Sequence, residues 1–198
     1  MFEVITTQNQ RYTCDKVIIA GNITTIHKLL PTFPIYNQIH GQPFLRVYGK
    51  FAHKSDEIMH KYVPYQTIVP GPLHKIIPIG NGVYMIAYTD NAGALILKNN
   101  VTNTLENRQL FANLLEQSLG MARNSIHLTA IKAFYWPVGT HYYSPLHNFK
   151  TRSEFIYKAQ HPLDNMLVVG EVVSMNQGWT EGALESVQSV LTSKWLRA

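Results

Sequence analysis

Apolar positions in this chain form several short alternating runs and one longer run at helical spacing, which together predict a mixture of strands and helices. Strands are predicted over residues 2–6, 12–19, 44–51, 74–79, 83–89, 126–135 and 166–169, where β-branched and aromatic residues are frequent. Gly80-Asn81-Gly82 separates two of these runs and predicts a tight hairpin.

Helices are predicted over residues 24–30, 104–119 and 181–196. Asn103 is the candidate N-cap of the middle helix, and Gly120 is the residue expected to end it. Residues 136–148 contain prolines and a glycine and are predicted to form a loop. Strands and helices in this mixed order predict an α+β fold with α/β elements.

The composition is that of a globular protein. The chain has 198 residues, of which 45% are hydrophobic and 15% are charged. No apolar run approaches the length of a membrane span, and the first residues lack a signal-peptide pattern. Cys14 is the single cysteine, so an internal disulfide and a cysteine-based zinc site are both excluded. We therefore expect a reducing, cytoplasmic location and no membrane partner.

The charge pattern favours a small anionic ligand over a polyanion. The net charge is +5, but Lys and Arg are scattered along the sequence, which disfavours nucleic acid as a partner. A modest positive excess suits a group such as a pyrophosphate. The nine histidines show no helical pair spacing beside an acid, so no metal site is predicted.

Gly170-Glu171 follows the buried run that ends at Val169. A glycine at the carboxyl end of a strand lets a ligand approach the backbone, and ligands of open α/β sheets lie beyond such ends. Glu171 could then accept a hydrogen bond from a ribityl or ribose hydroxyl. The alternative from these two residues alone is an ordinary turn that carries a solvated acid.

The stretch from Gly178 to Ala183 stands where the last predicted helix begins. Gly178, Gly182 and Ala183 leave little side-chain bulk there, and the first amides of a helix carry partial positive charge. A reduced flavin, which is negative along its N1–C2 edge, would suit these amides. The alternative is a plain helix start with Trp179 in the core.

Four stretches together carry a resemblance to a known family. They are VVGEVVSMNQGWTEGALES, YWPVGTHYYSP, YTCDKVIIA and the pattern PFLRVYGKF followed by HKIIPIGNGVYMIAYTD. Read together, they resemble the C-terminal half of flavin-dependent amine oxidases, the family of monoamine and polyamine oxidases. The resemblance implies that residues 1–35 and 136–198 belong to the FAD-binding domain and residues 36–135 to a substrate-binding domain with a mixed sheet.

The resemblance also implies contacts with FAD. Glu171 and the backbone of Gly170 would meet the ribityl and pyrophosphate groups, and the Thr180 amide would donate to the flavin C2 carbonyl. Gly178, Gly182 and Ala183 would make room for the cofactor. No cysteine lies in residues 139–143, so FAD would be bound noncovalently.

The resemblance further implies a cage for a small-molecule amine. Trp179 would form one aromatic wall, and either His141 or Tyr142 would stand opposite it. Gly139 would flank the flavin ring beside them. The cofactor would carry out the oxidation, while these residues would orient the amine.

The sequence departs from the family at the dinucleotide-binding loop. It contains no Gly-x-Gly-x-x-Gly segment, which holds the pyrophosphate in flavoproteins of this kind. We therefore expect the isolated chain to be inactive and to lose FAD unless an N-terminal half completes the site. The alternative is a non-catalytic structural or interaction protein that keeps a truncated fold and forms a homo-oligomer or binds another chain.

Overall fold

The computed structural model describes residues Met1–Arg197 and has a mixed α+β architecture. The strands are β1 Phe2–Ile5, β2 Arg11–Cys14, β3 Val17–Ile19, β4 Ile39–Phe51, β5 Thr67–Ile68, β6 Lys75–Gly80, β7 Val83–Asp90, β8 Leu128–Tyr143 and β9 Met166–Val168. The helices are α1 Ile23–Leu29, α2 His53–Tyr62, α3 Asn91–Leu97, α4 Leu105–Leu119, α5 Arg152–Gln160, α6 Thr180–Val190 and α7 Ser193–Arg197. Within residues 1–197, no helix is long and apolar enough to cross a membrane.

The chain divides into two compact units. Unit 1 combines Met1–Gln42 with the chain from Val138 onwards, and unit 2 is Pro43–Pro137. The chain passes between the units within strands β4 and β8. The sequence places the corresponding boundaries after residues 35 and 135, and the roles it assigns to the segments stay predictions.

Unit 2 is built on a sheet with strand order β5-β6-β7-β4-β8. Strands β4 and β7 pair antiparallel, with a register shift at Val47/Tyr48. Strands β6 and β7 form the predicted hairpin, because Gly80, Asn81 and Gly82 all take positive φ values at its turn. The core of this unit lies between the sheet and three helices, α2, α3 and α4.

The core of unit 2 uses one face of the sheet. Leu45 and Val47 of β4 are fully buried and belong to the same apolar cluster as Phe111 and Leu115 of α4. Their neighbour Arg46 points to the other face, because successive side chains of a strand alternate, and it is itself only 8% exposed. The sheet is therefore covered by helices on one face only within unit 2.

Unit 1 contains two small sheets. Strands β1 and β2 form an antiparallel hairpin, whereas β3 and β9 pair parallel with Val17 opposite Met166. The core around β3 and β9 includes Tyr36, whose hydroxyl donates to the Ala159 carbonyl at 2.8 Å. Burial raises the pKa of Tyr36, so this phenol remains a neutral donor.

Three predicted elements are wrong in their extent. The strand predicted over 12–19 is two strands, since β2 pairs with β1 and β3 pairs with β9. The segment predicted as a loop over 136–148 is strand up to Tyr143. Strand β8 lies at the edge of its sheet, where the missing N–H of Pro137 does not interrupt the hydrogen bonds to a neighbouring strand. The last helix is interrupted after Val190, where Thr192 caps α7 by accepting from the Trp195 amide at 3.2 Å.

Helix α4 occupies the predicted range, but its N-cap is Thr104. The Thr104 hydroxyl accepts from the Asn107 amide at 3.2 Å. Asn103 instead accepts from the Ile131 amide at 3.1 Å, which ties the start of the helix to β8. Gly120 ends the helix in the left-handed conformation as predicted, with φ 67°.

Candidate functional site

The site begins at Gly170, where the chain leaves β9. Gly170 has φ 110° and ψ 178°, a conformation that side chains rarely allow. A Cβ at this position would meet nothing within 4 Å, so the backbone faces open space. The Gly170 amide donates to the Ser186 hydroxyl of α6 at 2.7 Å. Gly170 therefore allows the chain to turn here, and its backbone stays accessible on the side where a side chain would point.

Glu171 joins three segments of unit 1. Its Oε1 accepts from the Gly178 amide at 2.6 Å and from the His141 amide at 3.1 Å. Its Oε2 contacts Nδ1 of the His141 ring. The side chain is only 18% exposed, so these contacts are shielded from water. Glu171 thus holds the loop before α6 against β8.

His141 continues this chain of contacts to α1. Its Nε2 accepts from the Ile23 amide at 3.1 Å, in the first turn of α1. An Nε2 that accepts carries no proton, so Nδ1 is the nitrogen that donates to Glu171. His141 is thus a buried connector between a carboxylate and a helix amide.

The environment of Glu171 favours its ionised form. Burial acts to raise the pKa of Glu171. The hydrogen bonds from the His141 ring and the Gly178 amide act in the other direction, and the net result is a lowered pKa. Glu171 is therefore negatively charged at neutral pH.

Helix α6 starts next to this network. Trp179 occupies the N-cap position but gives no side-chain cap, and it is 70% exposed. The alternative that places Trp179 in the core is therefore wrong. Within residues 1–197, no hydrogen bond uses the amides of Thr180, Glu181 or Gly182. A helix start with free amides and an exposed indole can accommodate a planar anionic group.

Gly182 has a packing role of its own. A Cβ there would stand 2.0 Å from the Asn176 carbonyl oxygen and 2.6 Å from the Ser174 hydroxyl. The loop after Glu171 therefore crosses α6 where only glycine fits. Ala183 is half-buried, and its carbonyl accepts from Ser186 at 2.6 Å.

The predicted aromatic pair on β8 splits between two environments. His141 is buried against Glu171, whereas its neighbour Tyr142 is 46% exposed. Tyr142 packs on His40 with ring centroids 5.1 Å apart, and His40 contacts the Ser144 hydroxyl. Tyr142 is thus the accessible ring of the two. Gly139 lies exposed three residues earlier on the same strand.

Sequence reasoning missed several partners of this site. The Ile23 amide and the Ser186 hydroxyl complete the contacts of His141 and Gly170, and both lie far away along the chain. Ser174 is also buried next to α6, and its hydroxyl has no hydrogen-bond partner within residues 1–197. One of these partners, the Ile23 amide, had a local signal in the sequence: Asn22, a residue type that often caps helices, caps α1 by accepting from the Thr25 amide at 3.0 Å and so fixes the start of the helix next to Ile23.

Among residues 1–197, no group of three or more His, Cys, Asp and Glu side chains is arranged to hold a metal ion. The cavity that Ser174 and Ser186 line has a volume of about 180 Å³, which is too small for a flavin. A cofactor would therefore contact the open surface at Gly170 and Gly178.

No family model matches the sequence, and no curated protein is similar to it.

Proposed function

We propose that this chain forms the C-terminal part of a flavin-dependent amine oxidase, in which noncovalent FAD oxidises a small-molecule amine once an N-terminal half completes the site. The observation that supports this most is the order of features after β9. An open Gly170 backbone, the anchored Glu171 and the uncapped start of α6 follow one another within 13 residues, from 170 to 182. The motif resemblance assigns these same features to FAD.

The residues present fit FAD mainly through their backbone. Gly170 and Gly178 offer accessible main chain, and the free amides at the start of α6 suit the electron-rich edge of the flavin ring. Glu171 already accepts three contacts, so its main contribution is to hold Gly178 in place. The bound cofactor would supply the hydride-accepting chemistry.

Trp179 and Tyr142 are the residues proposed to orient the amine. Both rings are accessible, at 70% and 46% exposure. Aromatic faces attract the cationic form of an amine and also pack against its apolar part. His141 would act through Glu171 as a positioning residue.

The parallel pair of β3 and β9 supports the need for a second half. Parallel strands normally lie inside larger sheets that are covered on both faces. Within residues 1–197 no further strand joins this pair. Ile18 of β3 is 46% exposed and Leu184 of α6 is 60% exposed, so apolar surface remains around it. Additional strands from a dinucleotide-binding half would extend this sheet.

The test is an FAD titration of the purified chain, alone and together with an N-terminal half that carries a Gly-x-Gly-x-x-Gly loop. We expect flavin absorbance to be lost from the isolated chain on gel filtration and to be retained by the reconstituted pair. In that pair, Trp179→Ala should slow amine oxidation while FAD stays bound. Two halves that associate but retain no flavin would refute the proposal.

The alternative function is a non-catalytic interaction protein, and the β1–β2 hairpin favours it. Val4, Ile5 and Tyr12 of this hairpin are 43%, 52% and 55% exposed, which is unusual for a solvated ribbon. Native mass measurement separates the two candidates. A stable homo-oligomer with no flavin affinity would support the interaction protein, whereas a monomer that pairs with an N-terminal half would support the oxidase.

A further inference from the structure

The face of the unit 2 sheet that points away from its helices collects aromatic and basic side chains that are scattered in the sequence. We call it the aromatic–basic face, and it comprises Phe44, Arg46, Tyr48, Lys75, Tyr88, Lys132, Phe134 and Trp136. The β4–β7 register sets Arg46 opposite Tyr88, and residues opposite one another in an antiparallel pair share a face. The fully buried Leu45 and Val47 point the other way, toward the helices.

Cations lie directly over rings on this face. The Arg46 guanidinium carbon is 3.2 Å from the Tyr88 ring centroid and 4.5 Å from that of Phe44. Lys75 Nζ is 4.8 Å from the same Tyr88 ring. These contacts fix the rings and concentrate positive charge beside them.

The β8 side of the face presents free ring surface. Phe134 and Trp136 stack with centroids 6.0 Å apart and planes 20° apart, and Tyr48 meets Phe134 edge-on at 6.1 Å. Phe134 is 41% exposed and Trp136 is 44% exposed, so a planar group can still reach them. Lys132 Nζ lies 5.4 Å from the Phe134 ring and is itself exposed.

The ligand chemistry that matches this face is a polyanion with unpaired planar rings. The exposed Lys132 and the half-buried Lys75 contribute positive charge at the surface of this face, and the register places Asp90 opposite Phe44. Arg46 is buried at 8% exposure and acts on the rings of Phe44 and Tyr88 rather than on a ligand. Single-stranded nucleic acid supplies both phosphates and bases that can stack, whereas a duplex hides its bases. A purely acidic peptide would use the charges and leave the stacked rings without partners.

We propose that the aromatic–basic face binds single-stranded nucleic acid, with bases stacked on Trp136 and Phe134 and phosphates beside Lys132 and Lys75. The basic residues form no cluster in the sequence, and only the pairing of β4, β6, β7 and β8 assembles them. The proposal rests on residues 43–137 alone. It is therefore independent of the flavin proposal, which rests on unit 1.

The test is fluorescence anisotropy of a fluorescein-labelled ten-residue oligo(dT), and of oligo(rU), titrated with the full 198-residue chain. Trp136→Ala should weaken binding about tenfold, the loss typical of one stacked base. Trp136→Phe retains a stacking surface and should stay within about threefold of the original affinity. Tyr65→Ala is the matched control, because Tyr65 is an 80% exposed aromatic residue of unit 2 outside the strands, and its change should have no effect.

A second variant tests the phosphate contact and is expected to fold normally because the residue is exposed. Lys132→Ala should lower the slope of log affinity against log salt by about 0.7. Lys61→Ala, an exposed lysine on α2, should leave that slope unchanged. Far-UV circular dichroism verifies that each variant is folded. If Trp136→Ala is unfolded, the proposal is judged from the salt dependence of binding by Lys132→Ala and Lys61→Ala.

Four results would overturn the proposal. They are no binding of either oligonucleotide, equal affinity for a duplex of the same length, equal affinity for heparin with no effect of Trp136→Ala, and tighter binding of polyglutamate than of oligo(dT). The last result would indicate an acidic protein partner instead.

Discussion

Glu171 holds its loop in place through hydrogen bonds within the fold. Its carboxylate joins the Gly178 amide, the His141 amide and the His141 ring, and His141 passes the connection to Ile23. Hydrogen bonds to a charged acceptor are stronger than those between neutral groups. The loop between β9 and α6 therefore depends on this charge.

Glu171→Gln should lower the free energy of unfolding at pH 7 by roughly 1–3 kcal/mol, because buried donors lose a charged acceptor. The folded-state pKa of Glu171 is lowered, so its contribution is present above its unfolded pKa of about 4.3 and is lost as pH falls through the lower folded value. The difference between the two proteins should thus shrink in acid. Urea unfolding between pH 7 and pH 3 measures it.

Glu57→Gln provides the control for this experiment, since Glu57 lies exposed on α2 and its side chain pairs with the exposed His53. Its effect should remain small at every pH. A stability difference for Glu171→Gln that does not change between pH 7 and pH 3 would contradict the role of the charge.

Gly182→Ala should destabilise the protein, although alanine is normally the better helix residue. The new Cβ would stand 2.0 Å from the Asn176 carbonyl oxygen, a backbone atom that cannot simply rotate away. We expect a loss of roughly 1–3 kcal/mol, as for other overpacked sites. Thermal unfolding measures it, with the exposed Gln188→Ala of the same helix as control. A variant as stable as the original would show that the loop yields freely.

The sequence singles out the residues of this candidate site by local pattern, but it does not indicate their hydrogen-bond partners. The Gly-Glu pair and the two glycines at the helix start stand out as local patterns. The bond from Glu171 to His141 spans 30 positions, and that from Ile23 to His141 spans 118. Such contacts follow from strand pairing and carry no local signal.

At the scale of elements, the predictions succeed where the apolar periodicity is strong. They fail where a proline or a short, mixed apolar pattern decides where an element begins or ends. Helix α4 and the β6–β7 hairpin lie where their patterns predict them. The helix has a long regular apolar pattern that ends at Gly120, and the hairpin has two apolar runs joined by a glycine-containing turn. Strand β8 continues past Pro137 since an edge strand can lack one donor. Helices α2, α3 and α5 were not predicted, because their apolar stripes are short and mixed with polar residues.

Gly120→Ala tests the end of α4. Gly120 has φ 67° and a Cβ there would meet nothing within 4 Å, so only the backbone conformation opposes a side chain. We expect a loss of about 1–2 kcal/mol, the cost of the left-handed region for an ordinary residue. Gly120→Asn should lose clearly less, since asparagine tolerates this conformation. Chemical unfolding compares the two, and equal losses would contradict a purely conformational origin.

At the scale of the molecule, each unit has its own apolar cluster. All buried members of the largest cluster lie between Leu45 and Ile131, within unit 2, and the next cluster lies within unit 1. Unit 2 is also continuous in sequence. A segment with its own core and a single stretch of chain has what independent folding needs.

The fragment spanning residues 43–137 should therefore fold alone. We expect a single cooperative thermal transition by circular dichroism and dispersed amide signals by NMR. The fragment from 1–42 joined by a short linker to 138–198 is the matched comparison, and its exposed Ile18 and Leu184 should make it less soluble. A fragment 43–137 that melts without cooperativity would contradict the prediction.

The position of Glu171 has a practical consequence for anyone who engineers flavin affinity into this protein. Mutagenesis there would release Gly178 and His141 together, so a colourless variant would report a collapsed loop as readily as a missing cofactor contact. Trp179 anchors nothing by its side chain and stands mostly in solvent. A change there that slows turnover but leaves the flavin colour intact would therefore point to recognition of the amine and not to damage of the loop.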